Sequence, residues 1–226
     1  MVSGTSVATL TTGGYFGELN YGTTSFTQAA TNLNLNSLYS VNRTTALTNL
    51  TATMIGTGSM STGSSIGPLF FNSNTTIVNT ATCTTCTVIG TLNVLSANTA
   101  TLTSTTFGMY GILNITGTLN CTVFTMGANT LDFSSGTITP STSFLATGGS
   151  FTYSGTATLA SVATFTQSST SNVTLNKAYS LTATGTYTLL GGTLTLGASL
   201  TTGIFNSTFA GNYRSINFGT NNIILA

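Results

Sequence analysis

Histidine and tryptophan are absent from the 226 residues, and charge is nearly so. Three cations (Arg43, Lys177, Arg214) and two acids (Glu18, Asp132) make up 2% of the chain, against roughly 25% in ordinary soluble domains. Each absence removes a class of chemistry. Without histidine, no imidazole base activates a serine or cysteine, and no imidazole ligates a metal. Two carboxylates isolated in sequence do not make the facing pair that glycoside hydrolysis uses. Three scattered cations cannot replace counterions along a phosphate backbone, so nucleic acid is not an expected partner. No enzyme activity, catalytic residue, metal or cofactor is expected. Purely apolar runs reach only about four residues, as in Ile223–Ala226, where a membrane-spanning helix takes about 20. Met1–Ser6 has neither a basic region nor an apolar core, so a signal peptide is not expected.

What fills the chain instead is threonine and serine, together about a third of it, with 21 asparagines, 25 glycines and 40% apolar residues. The apolar share suffices for a core, which sets the chain apart from disordered sequences. Thr, Val, Ile, Phe and Tyr suit a pleated, half-buried surface, whereas the best helix formers, Glu, Lys and Arg, are almost missing. The expectation is an all-β fold. A net charge of +1 supplies almost no repulsion between chains, and near-zero charge promotes association.

Along the sequence, residues 1–86 read as an irregular N-terminal β or assembly region. Within it, Leu33, Leu35 and Leu38 alternate with asparagines as a strand would. From residue 87 to 203 short apolar-alternating segments recur. From about residue 129 they centre near Leu131, Ile138, Leu145, Phe151, Leu159, Phe165, Val173, Tyr179, Tyr187, Leu194 and Leu200, a step of about seven. Such a step is too short for transmembrane barrel strands of about 9–11 residues. Leu131, Leu145, Leu159, Val173 and Tyr187 lie fourteen apart, and Phe151, Phe165 and Tyr179 repeat that interval. Two strands and two turns per coil give a β-solenoid or β-roll of about 14 residues per coil, with those five residues on one inward line. An antiparallel meander with two-residue turns steps by seven as well, and an antiparallel sandwich or jelly roll is the further alternative. Residues 204–226 leave the repeat and read as a C-terminal cap or an exchanged strand.

The remaining motifs carry little chemistry. Cys83 and Cys86 form a CxxC, but a strand-like run follows rather than the helix that lowers a thiol pKa in redox enzymes. A local disulfide or small core residues are the readings, with Cys121 alone. Seven Asn-x-Ser/Thr sequons, at Asn42, Asn49, Asn74, Asn114, Asn120, Asn172 and Asn206, are about what this composition yields by chance. Thr-x-Thr pairs (Thr101/Thr103, Thr137/Thr139, Thr164/Thr166, Thr186/Thr188, Thr193/Thr195) resemble the threonine faces of β-helical ice-binding proteins.

Gly90-Thr91-Leu92-Asn93-Val94, Ile112–Asn120 and Gly192–Gly197 resemble the Thr/Gly-rich β repeats of virion fibres, tail spikes and surface adhesins. The resemblance covers about residues 87–203. It implies a rigid structural subunit of an extracellular assembly: a virion fibre, spike or capsid-associated protein, or a surface filament. The alternative is a secreted β-solenoid binding module, an adhesin or an ice-binding protein. The expected partners are copies of the chain itself and a host-surface receptor or glycan. The expected place is the virion or the cell exterior. Ile216, Phe218, Ile223, Ile224 and Leu225 are the candidate assembly contacts, since an apolar strand can add to an open sheet edge.

Overall fold

The computed structural model describes residues 8–10, 14–20, 26–28, 32–40, 51–54, 58–62, 69–71, 74–77, 80–94, 101–127, 129–168, 170–207 and 212–226. These residues form strands and turns without a helix, wound as a β-solenoid of about six turns of roughly 21 residues. Strands in consecutive coils pair in parallel, which excludes the antiparallel meander, sandwich and jelly roll. The chain divides into two compact units, residues 1–106 with 111–119 and residues 107–110 with 120–226.

In the first unit two ladders run side by side. Ala52 pairs with Leu69 and Leu69 with Cys86, the same sequence interval both times. Gly58, Thr75 and Leu92 keep that interval on the other ladder, and the next step, Leu92 to Leu113, is longer. Strands Asn32–Ser40, Thr51–Met54, Gly58–Thr62, Leu69–Phe71, Asn74–Ile77 and Thr80–Val88 therefore lie in the stretch that reads as irregular in sequence. Where side chains are described, alternate residues turn inward: Cys86 and Val88, Leu92 and Val94, Leu113 and Ile115 are all buried. Between two of these inward pairs lie Asn93 and Asn114, and Asn114 Nδ2 donates to Asn93 Oδ1 at 2.8 Å across one coil step.

The second unit carries three faces. On the first, Phe144, Phe165, Tyr187 and Phe205 are partners in consecutive coils. Their rings, together with Phe124 and Phe107 beneath, make a continuous stack with centroids 5.4, 4.8, 4.6, 4.9 and 5.6 Å apart. Each contact of this kind adds about 0.5–1.5 kcal/mol beyond area burial. On the second face, strands Thr130–Phe133, Gly149–Tyr153, Ser171–Leu175, Gly192–Leu196 and Arg214–Asn217 form a five-stranded parallel sheet. Its inward column is Leu131, Phe151, Val173, Leu194 and Ile216. The third face comprises Tyr179–Ser180, Leu200–Thr202 and Ile223–Leu225, with Tyr179, Leu200 and Ile223 in register.

The coil length corrects the sequence expectation. Tyr187 pairs with Phe205 and Leu200 with Ile223, intervals on either side of the roughly 21 residues of a turn. A coil thus holds three steps of about seven rather than two. Residues fourteen apart consequently fall on different faces. Leu131 and Val173 belong to the second face and Tyr187 to the first. Leu159 pairs with Ile138, and Leu145, opposite Thr166, is only half-buried. The five residues do not share one line.

At one corner of the second unit a buried amide ties the coils together. Gln167 is fully buried, and its Nε2 donates to the carbonyls of Ser171 and Thr193, both at 2.9 Å. Its Oε1 accepts from the Tyr187 hydroxyl at 2.8 Å. Burial pushes the Tyr187 hydroxyl well above its ordinary pKa and keeps it a donor. At the corner between the first and second faces Gly192 holds φ at +74°, and an added Cβ would lie 1.9 Å from the Ser171 carbonyl oxygen. Only glycine fits that corner.

Candidate functional site: the last coil

Strands Ile204–Asn206, Arg214–Asn217 and Ile223–Leu225 compose the last coil, and each stands at the end of its sheet. They form for the same reason as the coils below: apolar residues continue the inward columns. Phe205 lies over Tyr187, Ile216 over Leu194, and Ile223 over Leu200. The partners below are all fully buried, whereas Phe205, Ile216 and Ile223 are half-buried. Leu225 sits over the buried Thr202 and is 67% exposed. Exposure thus rises from the coil below to this one along each of these columns.

The outward columns change at the same level. On the first face Thr164 and Thr186 are followed by Ile204, which is 57% exposed. On the third face Ser180 and Thr201 are followed by Ile224, 47% exposed. On the second face the outward columns stay polar to the end: Asn172, Thr193, Ser215 and Thr174, Thr195, Asn217. Arg214 is the one charged residue of the three end strands, and its Nη1 donates to the Ser207 carbonyl. Asn221 Nδ2 donates to the Leu196 carbonyl at 2.9 Å and the Ala226 amide to the Thr202 carbonyl at 3.1 Å, which pins the coil to the one below.

The structure brings all five sequence-predicted assembly residues together on this coil. Ile216 and Ile223 stand on inward columns; Phe218, Ile224 and Leu225 are exposed. Residues 204–207 and 212–226 thus stack on the coil below as part of the solenoid. Sequence reasoning left Ile204 and Phe205 out of the assembly set. The signal for Phe205 was its place after Phe165 and Tyr187 in an aromatic series, which a coil of roughly 21 residues reveals and a shorter one hides.

The other sequence candidates lie elsewhere. Cys86 is disulfide-bonded and fully buried in the first unit, while the Cys83 side chain lies outside the described residues. Cys121 is a free, buried thiol that burial pushes up to about 12. Two of the Thr-x-Thr pairs coincide in space: Thr164 and Thr166 stand in register with Thr186 and Thr188 on adjacent coils. Thr193/Thr195 lies on the second face and Thr139 donates to Asn120. Thr103 is half-buried, and the Thr101 side chain lies outside the described residues. Among the described residues no three or more Cys, Asp or Glu gather as a metal site, and no helix is long and apolar enough to cross a membrane. Asp132 stands exposed on an outward column beside Thr152. The chain matches no protein-family model, no curated protein and no solved structure.

Proposed function

We propose that the chain is a structural subunit that assembles with copies of itself, a stiff β-solenoid segment of an extracellular assembly such as a virion fibre, spike or surface filament. The observation that supports this reading is the in-register parallel stacking of consecutive coils around apolar columns, in a chain whose net charge is only +1. Those columns give the stiffness a structural part needs, and the near-neutral chain sets no barrier to close approach. Light scattering of the full chain over a range of concentrations tests the reading. Mass above 23.0 kDa that rises with concentration is expected, and a monodisperse 23.0 kDa species at high concentration overturns it.

A second reading, a secreted binding module, is favoured by one observation. The Thr164/Thr166 and Thr186/Thr188 pairs form a two-by-two array of outward hydroxyls on a parallel sheet. Adjacent coils are about 4.8 Å apart and alternate residues about 6.6 Å, so the hydroxyls repeat at fixed intervals suited to ordered water or a neutral glycan. Thermal hysteresis lost on Thr166→Val with Thr188→Val supports it; a protein that never shifts ice growth ends the ice-binding form.

A further inference from the structure

We infer that the second face of the second unit is a docking track for an uncharged polysaccharide, laid lengthwise along the coils. The inference holds with or without self-assembly, and it concerns a different face from the array of Thr164, Thr166, Thr186 and Thr188. At the centre of the second face the outward residues are Ser150 and Thr152, Asn172 and Thr174, and Thr193 and Thr195, each pair in register with the next. All six are exposed or half-buried. Rungs stand about 4.8 Å apart, and the two residues of a rung about 6.6 Å. Two columns of polar side chains therefore run along the axis of the coil. Between them lie Phe151, Val173 and Leu194, which are buried beneath the sheet, so the floor between the columns is backbone.

The hydroxyls of this face are not spent on the fold. Elsewhere in the second unit Thr147 donates to the Met126 carbonyl, Thr170 to that of Thr147 and Thr202 to that of Gly185. Among the described residues the Thr152, Thr174 and Thr195 side chains make no such bond. Packing alone gives no reason for a hydroxyl at these three positions, since valine has the same branched shape and also suits a strand. Each hydroxyl is left to donate and accept at once, as a sugar hydroxyl does. Threonine is stiff at χ1 and the sheet fixes its backbone, so little side-chain freedom is lost when a ligand settles.

The chemistry of the face selects its occupant. Protein interfaces centre on aromatic and apolar residues, and none stands on these two columns. The first face, by contrast, sets Leu145 beside Thr166. Phosphate and sulfate groups are held by cations. The columns carry none, and Asp132, in register with Thr152, repels anions at one end. A linear polymer of uncharged, hydroxyl-bearing rings meets neither obstacle. With no aromatic ring to stack on, each coil contributes a weak contact, and affinity comes from many such contacts along one polymer chain. Long polymers are then held where short oligomers are not.

Biolayer interferometry of the full chain tests the assignment, on surfaces coated with a neutral β-glucan, a neutral galactomannan or heparin. Retention on at least one neutral polymer and not on heparin is expected, with competition by the free polymer but not by its disaccharide. Thr152→Val, Thr174→Val and Thr195→Val combined keep the branched shape and should weaken retention by about tenfold or more at unchanged circular dichroism. Thr174→Glu, a single charge at the centre of the face, guards against insolubility of the triple variant and should give the same loss. Ser180→Ala, on the third face, should change nothing. Retention on no neutral polymer, retention on heparin at the same level, equal competition by the disaccharide, or undiminished binding in both variants overturns the inference. So does a chain that arrests ice growth but holds no polysaccharide, which would give the face to ordered water. Light scattering reads self-assembly separately, so a chain that assembles without binding loses only this track.

Discussion

The two units wind the same kind of coil, and the described parts of their cores differ in chemistry. In the first unit the interval from Ala52 to Leu69 repeats from Leu69 to Cys86, and the neighbouring ladder keeps it. The described inward residues there are aliphatic or cysteine: Ile77, Cys86, Val88, Leu92, Val94, Leu102, Leu113, Ile115 and Leu119. In the second unit three faces enclose the core and the interval is longer. Its inward columns fill with Phe107, Phe124, Phe144, Phe151, Phe165 and Tyr187. A longer coil encloses a wider cross-section, and interiors tolerate few voids larger than a water molecule. Rings do much of that filling in the second unit.

Truncation in the two cores is the strongest way to break this comparison. Phe165→Ala removes a ring held between Phe144 and Tyr187 and should cost about 3–5 kcal/mol, read by denaturant unfolding. Ile77→Val in the first unit should cost only about 0.5–1.5 kcal/mol. Near-wild-type stability of Phe165→Ala would mean that the ring stack does not hold the second unit's core.

The corner and the buried amide of the second unit come next. Gly192→Ala places a Cβ against the Ser171 carbonyl at positive φ and should destabilise by about 2 kcal/mol or more. Gln167→Leu strands the Tyr187 hydroxyl and takes a donor from two carbonyls, and should cost about 1–3 kcal/mol. A neutral outcome at Gln167 would mean that its hydrogen bonds do not hold the coil corner.

Cys121 sharpens the comparison through pH. Burial raises its thiol from 9.0 to about 12, so the folded state holds this proton more tightly than the unfolded one. The stability it contributes is fully present below pH 9.0 and is lost as pH rises toward about 12. The native thiol should resist a thiol-reactive dye at about pH 8 and react on unfolding. Rapid native labelling would sink this. The smallest effect is expected at the exposed Asn93–Asn114 pair, where Asn114→Ala should cost no more than about 1 kcal/mol.

Much of the second unit was legible in the sequence because strand alternation is local. Leu131, Phe151, Phe165, Val173, Tyr179, Tyr187, Leu194 and Leu200 are all inward in the structure, as a period-2 reading requires. Ile216, Ile223, Ile224 and Leu225 stood out as apolar residues in a polar chain, and they do gather on one coil. The first 86 residues were harder. The alternation that marks Leu33, Leu35 and Leu38 fades there where the sequence turns to threonine and serine.

By itself the sequence determined that the chain is all-β, that apolar segments recur about every seven residues in its second half, and that it is nearly uncharged and hydroxyl-rich. These follow from composition and from contacts between near neighbours. How many steps close a coil was decided only by the tertiary structure. Fourteen and twenty-one are both multiples of seven, and a local pattern cannot choose between them. The choice falls to the stack of rings from Phe107 to Phe205 and to the Gly192 corner beside Gln167, contacts between one coil and the next.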